Sequence, residues 1–442
     1  MTLPILDMST DQGAAAFGAC LDRLRATATA EGDAARTVAA IIEDVKQHGD
    51  DAVVRYMRQW TDPRFDADRI RVATDELVRA EKSLDPPLRD AIADSIDHVR
   101  RYQQHIKPPD PEPITIDGAE LGLRFTPVEC AGLMVPGGTA VLFSTLIMLA
   151  VPAIVAGVDP KRLSVVSPPP TPGPGEEPGD ISPIVLAACA MLGIETVYRI
   201  GGAQAMAAMA FGTQRVQRVD MLAGPGNVFV QLAKAQLAGF VGTDGGFYGP
   251  SEIVTIADET ADASKVAADL IAQAEHDPGK CFVVSWSRKV IDQIVAQVDR
   301  QLVQRDRRDA IESALRDRSA AVLVADEAQA IEITNAIASE HVNLAVADPD
   351  ALLKQTRHGG EIFLGDQTPV AAGDYYAGPS HCLPTGTTAR FASGISVYTF
   401  LRRTGTVCYR RGMSAKTIEA IARLAEAEGL DGHAASVRAR GT

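Results

Sequence analysis

Between residues 132 and 239 short β-rich runs alternate with Ala-rich helical stretches: GLMVP, 141–157, LSVVSP, 183–193, TVYRIG, 203–212, VDMLAG and 227–239. This alternation constrains the fold more than any other feature, because successive β–α units bury their strands by laying them parallel under helices. A second block begins at SEIVTIAD (251–258) and runs through a helix at 263–277, CFVVSW, a helix near 289–305, AAVLVA, a helix at 327–338, VNLAV and EIFLG. At 442 residues the chain exceeds a single hydrophobic core. The fold class is therefore α/β, with two Rossmann-like βα lobes and a ligand crevice expected between them at the C-terminal ends of strands.

Residues 1–106 carry apolar residues at three- and four-residue spacing, as in TVAAIIEDVKQHGDDAVVRYMRQW and PLRDAIADSIDHVRRYQQHI, and read as surface helices. The expected organisation is an N-terminal helical segment (1–29), a discontinuous first lobe (30–134 with 252–391), a second lobe (135–251) and a C-terminal tail (392–442). In the tail, SVYTFL reads as a strand leading into a helix at 414–428 and a polar end. The insert PPPTPGPGEEPGD (168–180) has too few apolar residues for a core and reads as an exposed loop.

The net charge of −14, with no dense Lys/Arg cluster, argues against nucleic acid and against an anionic membrane surface. A small-molecule partner fits better. The apolar stretch 142–157 is short and interrupted by Pro152, and the N-terminus lacks a charged region followed by a long apolar run, so a cytoplasmic protein is expected. The six cysteines are scattered without CxxC spacing, which disfavours a disulfide scaffold or a thiolate zinc cluster.

Several polar groupings stand out. In GDYYAGPSHCLPTGTTARFASG (373–394), Asp374 precedes His381 by seven residues in a stretch whose Gly and Pro content argues against a helix. A carboxylate and an imidazole on such a loop suit a metal ligand and a substrate contact. Gln273 and His276 are three apart and share a helix face, a spacing that an ordinary polar helix end would also produce. Glu340 and His341 lie where a helix gives way to a strand, at the edge opposite the usual crevice; they can cap a helix end or supply an acid/base imidazole beside a carboxylate. The glycine turns of RIGGAQAMAAMA (199–210), LAGPGNVFVQLAK (222–234) and VPGGTAVLFST (135–145) lead into helices whose free N–H groups suit an anion, although none is a GxGxxG fingerprint.

Taken together and in order, VPGG (135–138), LFST, SPPP, GGAQA (201–205), FG (211–212), GPGN (224–227), GPSE (249–252), QAEH (273–276), SEH (339–341), FLGD, AGDY (372–375), HCLPT (381–385) and EGLxxH (428–433) span nearly the whole chain. This pattern resembles the histidinol dehydrogenase family. The resemblance implies a zinc-containing homodimer with shared active sites that oxidises L-histidinol to L-histidine through an aldehyde, using two NAD⁺. It implies one zinc per subunit, held by Gln273, His276 and Asp374 with His433 from the partner's tail. His341 would be the base in alcohol oxidation and Glu340 would activate water. Ser251, His381 and the partner's Glu428 would touch substrate together with the zinc ligands and His341, while Met134, Gln204 and Asn227 would face the cofactor.

Three departures from the family pattern bear on this reading: Met134 replaces an aromatic cofactor contact, GGFY (245–248) precedes GPSE, and Ser380 replaces a frequent Asn. Some relatives oxidise a sulfonated diol with the same apparatus, but Glu428 would repel a sulfonate and favours an amine-bearing substrate. Two alternatives of other kinds stand beside these: a cysteine-dependent aldehyde dehydrogenase acting through Cys382 or Cys130, and a non-catalytic metal-dependent binder of small molecules, which would not need Glu340 and His341 together.

Overall fold

A computed structural model describes residues 3–26, 32–137, 142–170, 179–276 and 279–441. Residues 138–141, the centre of the Pro-rich insert (171–178) and residues 277–278 lie outside the described residues. The fold is mixed α/β, built on two parallel sheets and a small antiparallel one.

The six-stranded parallel sheet runs β1 (Ile5–Asp7), β11 (Ala320–Leu323), β10 (Lys280–Ser285), β9 (Glu252–Ala257), β12 (His341–Ala345) and β13 (Glu361–Leu364). The five-stranded parallel sheet runs β6 (Thr196–Tyr198), β5 (Leu163–Val166), β4 (Ala131–Met134), β7 (Met221–Ala223) and β8 (Gly242–Thr243). Their central strands are buried along their full length. That is why they read as near-continuous apolar runs rather than as alternating patterns.

Strand β1 is a difference from the expected purely helical N-terminal segment. Its three residues add an edge strand beside β11, and only then does the helix Asp11–Ala26 begin. A larger difference concerns 30–134, grouped above with 252–391. The apolar faces of its helices cover the five-stranded sheet instead: Val38, Ile41 and Val45 pack with Met206, Met209 and Leu232, and Ile92, Ile96 and Val99 pack with Leu146 and Leu149. Strand β4 belongs to that sheet outright. The helices between the sheet's own strands are short and apolar, and the amphipathic N-terminal helices complete their burial.

Residues 397–400 form a 3₁₀ turn rather than the start of a strand. The strand that follows, β14 (Leu401–Cys408), pairs antiparallel with β3 (Ala119–Pro127), which also pairs with β2 (Ile114–Ile116). This exposed ribbon had no clear signature, because neither face is buried enough to impose alternation. The tail then forms two helices, Ala415–Ala427 and Asp431–Arg438, where a single helix and a polar end were expected. They share a small core of their own around Ile418, Ala422, Ala425, Ala434 and Val437.

Candidate functional site

Four strands of the six-stranded sheet open on a titratable residue: Glu252 on β9, Lys280 on β10, His341 on β12 and Glu361 on β13. The strands are parallel and in register, with His341 opposite both Glu361 and Ile253, and Lys280 opposite Glu252. These side chains therefore share the N-terminal edge of the sheet. The crevice was expected at C-terminal strand ends, and for this sheet the structure reverses it. The helices Ala263–Ala274 and Glu327–Ile337 end at the same edge, bringing Gln273, His276 and Glu340 with them.

Glu340 is buried, and its Oε2 accepts hydrogen bonds from Ser251 Oγ (2.7 Å) and from the Glu252 backbone N–H (2.9 Å). Burial raises its pKa well above the usual carboxylate range, with the charges of Asp374 and Glu252 adding to the effect and the two hydrogen bonds opposing it. His341, also buried, places Nδ1 3.2 Å from the carbonyl of Glu252. That carbonyl can only accept, so Nδ1 carries the proton and Nε2 is left as the basic nitrogen. Nε2 is buried with no hydrogen-bond partner and lies 3.6 Å from Asp374 Oδ1. Burial lowers the imidazole pKa to about 4, against the pull of Asp374.

Asp374 sits in a short helix, Val370–Tyr375, not in the irregular loop expected from its Gly and Pro neighbours. The helix fits because residue 373 is glycine: a Cβ there would lie 2.7 Å from Phe363 Cζ and 2.8 Å from Glu361 Oε2. His381 belongs to the irregular stretch that follows. Its Nδ1 donates to the Asp374 carbonyl (2.7 Å) and its Nε2 accepts from Thr145 Oγ1 (3.0 Å), so both ring nitrogens are engaged by protein. Ser380 turns away from this pocket, donating from Oγ to the Met148 carbonyl (3.1 Å) in the helix Phe143–Ala156.

Gln273 is buried with its Nε2 unpartnered, while His276 opens onto a cavity and has its pKa lowered, chiefly by burial and against the charge of Asp374. Two further carboxyls crowd Asp374. Glu361 is pushed up to about 7 and Asp269 to about 6, in both cases mainly by burial and further by the Asp374 charge. Several acids held together in this way favour a cation.

The cavity, about 720 Å³, is closed on its other side by the five-stranded sheet. There the expected C-terminal ends are used: Pro136 follows β4, and Pro225, Gly226 and Asn227 follow β7. Gly224 has φ of 121°, and a Cβ would meet the Met134 carbonyl at 2.5 Å, so the GPGN turn can approach β4 only with glycine at this position. Asn227 lines the cavity and caps the helix Val228–Leu237, its Oδ1 accepting from the N–H groups of Phe229 and Val230. Met134 and Gln204 are buried behind this wall, Met134 in the core and Gln204 with an unpartnered Oε1.

Ser251, His276, Glu340, Asp374 and His381 thus line one cavity, with His341 and Gln273 buried behind its wall. Glu428 and His433 are not brought there; both stand exposed on the C-terminal helices. Cys382 is buried with its thiol pKa raised by burial, and Cys130 lies at the opposite end of β4 with its pKa likewise raised. Neither has the electropositive setting that makes a thiolate nucleophile. Sequence reasoning missed Thr145, Lys280, Glu361 and Asp269. Three of them carried a readable signal: Thr145 is the polar end of LFST, and Lys280 and Glu361 are charges opening otherwise apolar strands.

A family model described as histidinol dehydrogenase matches residues 24–441. The chain is 42% identical over 441 residues to histidinol dehydrogenase of Rhodospirillum rubrum, covering 98% of each chain. It is 41% identical over 406 residues to that of Bacillus subtilis, covering 92% of each. The crystal structure of histidinol dehydrogenase from Elizabethkingia anophelis matches with a TM-score of 0.88 at 30% identity, over 99% of this chain and 98% of that one.

Proposed function

The chain belongs to the histidinol dehydrogenase family, NAD-dependent oxidoreductases, and from that premise we propose that it carries out the four-electron oxidation of L-histidinol to L-histidine by way of the aldehyde. The observation that carries this reading is the free, buried Nε2 of His341 beside Glu340, just behind the wall of a cavity that the glycine turns close from the other side.

In the first oxidation the substrate hydroxyl gives its proton to His341 Nε2 as the carbinol carbon gives up hydride. Burial keeps the imidazole neutral and ready to accept. Water then adds to the aldehyde, and Glu340 takes the proton that water releases. Ser251 and the Glu252 backbone N–H orient the carboxylate for this step. The hydrate, an anion once Glu340 holds that proton, loses a second hydride to give the acid, which releases a third proton to solvent to leave the carboxylate product. NAD⁺, when bound, accepts one hydride in each oxidation; Asn227, which lines the cavity, would meet it, with Gln204 and Met134 behind the same wall.

Zinc fits the donors present. Gln273, through its amide oxygen, His276 and Asp374 offer the nitrogen and oxygen ligands zinc accepts, and carboxyls with raised pKa values surround Asp374. When bound, zinc would anchor the imidazole and amine of the substrate. Among the described residues no group of three or more His, Cys, Asp or Glu side chains is gathered to hold a metal, and the resemblance gives the zinc a fourth protein ligand from the partner's tail. We assign this ligand to His433, and a substrate contact to Glu428, across a homodimer of two-lobed subunits. The exposed Leu424 and Leu430 beside them suit such an interface. No helix among the described residues is long and apolar enough to cross a membrane.

Incubation of the zinc-loaded protein with L-histidinol and NAD⁺ should produce NADH. A flat trace, or a faster one with a sulfonated propanediol, would overturn the choice of substrate. Mixing His433→Ala and His276→Ala chains should restore activity in one of the two sites of each heterodimer; confirmed heterodimers without activity would remove the shared site.

A further inference from the structure

Both members of the acting pair are held by the backbone of one residue whose side chain has no part in the chemistry described above. The Glu252 backbone N–H binds Glu340 Oε2 and its carbonyl receives His341 Nδ1–H. The Glu252 side chain, fully buried, reaches the other way. Its Oε1 accepts from Lys280 Nζ (2.8 Å), and its two oxygens accept from the backbone N–H of Gly386 at 3.2 and 3.1 Å. Gly386 closes the segment that carries His381. Lys280, itself buried, also holds the neighbouring residue, since its backbone N–H donates to the Ser251 carbonyl (3.0 Å). Ser251 in turn donates to Glu340.

We propose that Glu252 and Lys280 are positioning residues: a buried ion pair that locks the Glu340–His341 pair to the His381 segment and to Ser251. Nothing in the packing requires charge at this point. A buried ion pair is weak evidence of stability, because neutral residues of similar volume fill such a place as well or better. This pair is instead threaded between two catalytic groups and two segments that line the cavity. Small displacements of catalytic groups are costly to rate, which gives such a lock a function. The inference rests on the assignment of His341 and Glu340 as the acting pair.

The test compares four variants of the zinc-loaded full chain for kcat, KM and thermal midpoint with L-histidinol and NAD⁺. Lys280→Met alone should lower the thermal midpoint, because it leaves a buried carboxylate unpaired. The decisive variant is the charge-balanced double, Glu252→Gln with Lys280→Met. It should keep its thermal midpoint, lose at least about ten-fold in kcat and hold KM within about two-fold. Lys280→Arg, which retains the charge, should recover most of the rate. A double variant with the kcat of the unmodified protein, or one that fails to fold, would show the pair to be structural only and overturn the proposal. His341→Asn is the control for the underlying assignment: if it stays active, that assignment has failed, whatever the pair does.

Discussion

The two parallel sheets meet at one cavity but present opposite ends to it. The five-stranded sheet offers C-terminal strand ends, where Pro136, Gly226 and Asn227 form turns into helices. The six-stranded sheet offers N-terminal ends, where Glu252, Lys280, His341 and Glu361 start their strands. The difference is chemical. Turns that start helices expose backbone N–H groups and glycine-sized space, which suit an anionic cofactor and require little of the side chains. Strand starts point side chains into the junction and bury them, which supplies acids and bases with displaced pKa values.

The sharpest way to break this contrast is to remove the proposed base from the six-stranded side. His341→Asn should lower kcat by about 10²–10⁴-fold, the usual contribution of a positioned acid/base group, with the fold intact by circular dichroism. Cys382→Ala, in the core behind the same segment, should leave kcat within a few-fold, because the buried thiol touches no reacting group. The reverse result would move the chemistry to a thiol.

How much of this was legible follows the same division. Apolar runs such as IVTIA and CFVV announced the strands, and GPGN and GGAQA the turns, because those signals are local. That Glu340 lines the cavity, with His341 buried just behind it, could not be read locally. An N-terminal strand edge becomes part of a crevice only when a second sheet is laid against it, and that depends on contacts between distant segments. The same reason hid the attachment of 30–134 to the five-stranded sheet: an amphipathic helix declares that it has a buried face, not what buries it. Asp374 failed differently. Gly and Pro nearby argued for a loop, whereas Gly373 is what allows a helical turn to rest on Phe363 and Glu361.

Gly373→Ala should therefore cost more than a helix propensity scale suggests. Alanine favours helix over glycine by roughly 1 kcal/mol, but the added methyl must displace Phe363 and Glu361, a strain of typically 1–3 kcal/mol. Urea unfolding should give net destabilisation, and kcat should fall by about ten- to a hundred-fold as Asp374 shifts. Stabilisation with full activity would mean the junction is softer than its packing indicates.

The displaced pKa values supply a thermodynamic measure of the six-stranded side in metal-free protein. His341 has a folded pKa of about 4, below its unfolded value of roughly 6.5, so the native state binds fewer protons between these values. Its contribution to stability is full above about pH 6.5 and lost as pH falls toward 4. Glu361, raised to about 7, has the opposite sign: its contribution is full below about pH 4 and lost as pH rises through 7. Glu361→Gln should stabilise the protein by up to about 3 kcal/mol near pH 8 and by little near pH 4. An equal effect at both pH values would show that the carboxyl is not held protonated.

The smallest effect is expected on the other side of the cavity, at Asn227. Its side chain caps the helix Val228–Leu237 through the N–H groups of Phe229 and Val230, so Asn227→Ala should cost about 1 kcal/mol of stability. If this wall receives the cofactor, KM for NAD⁺ should rise several-fold while kcat at saturating cofactor changes little, the pattern of uniform binding lost. Asn227→Asp separates the two roles. It keeps the cap, and aspartate is favourable at a helix N-terminus, yet it places a carboxylate where an anionic cofactor would lie. Restored stability with a still higher KM for NAD⁺ would assign the turn to the cofactor. Restored stability with a normal KM would leave Asn227 a cap and nothing more, and the cofactor would then have to be sought deeper in the wall, beside Gln204.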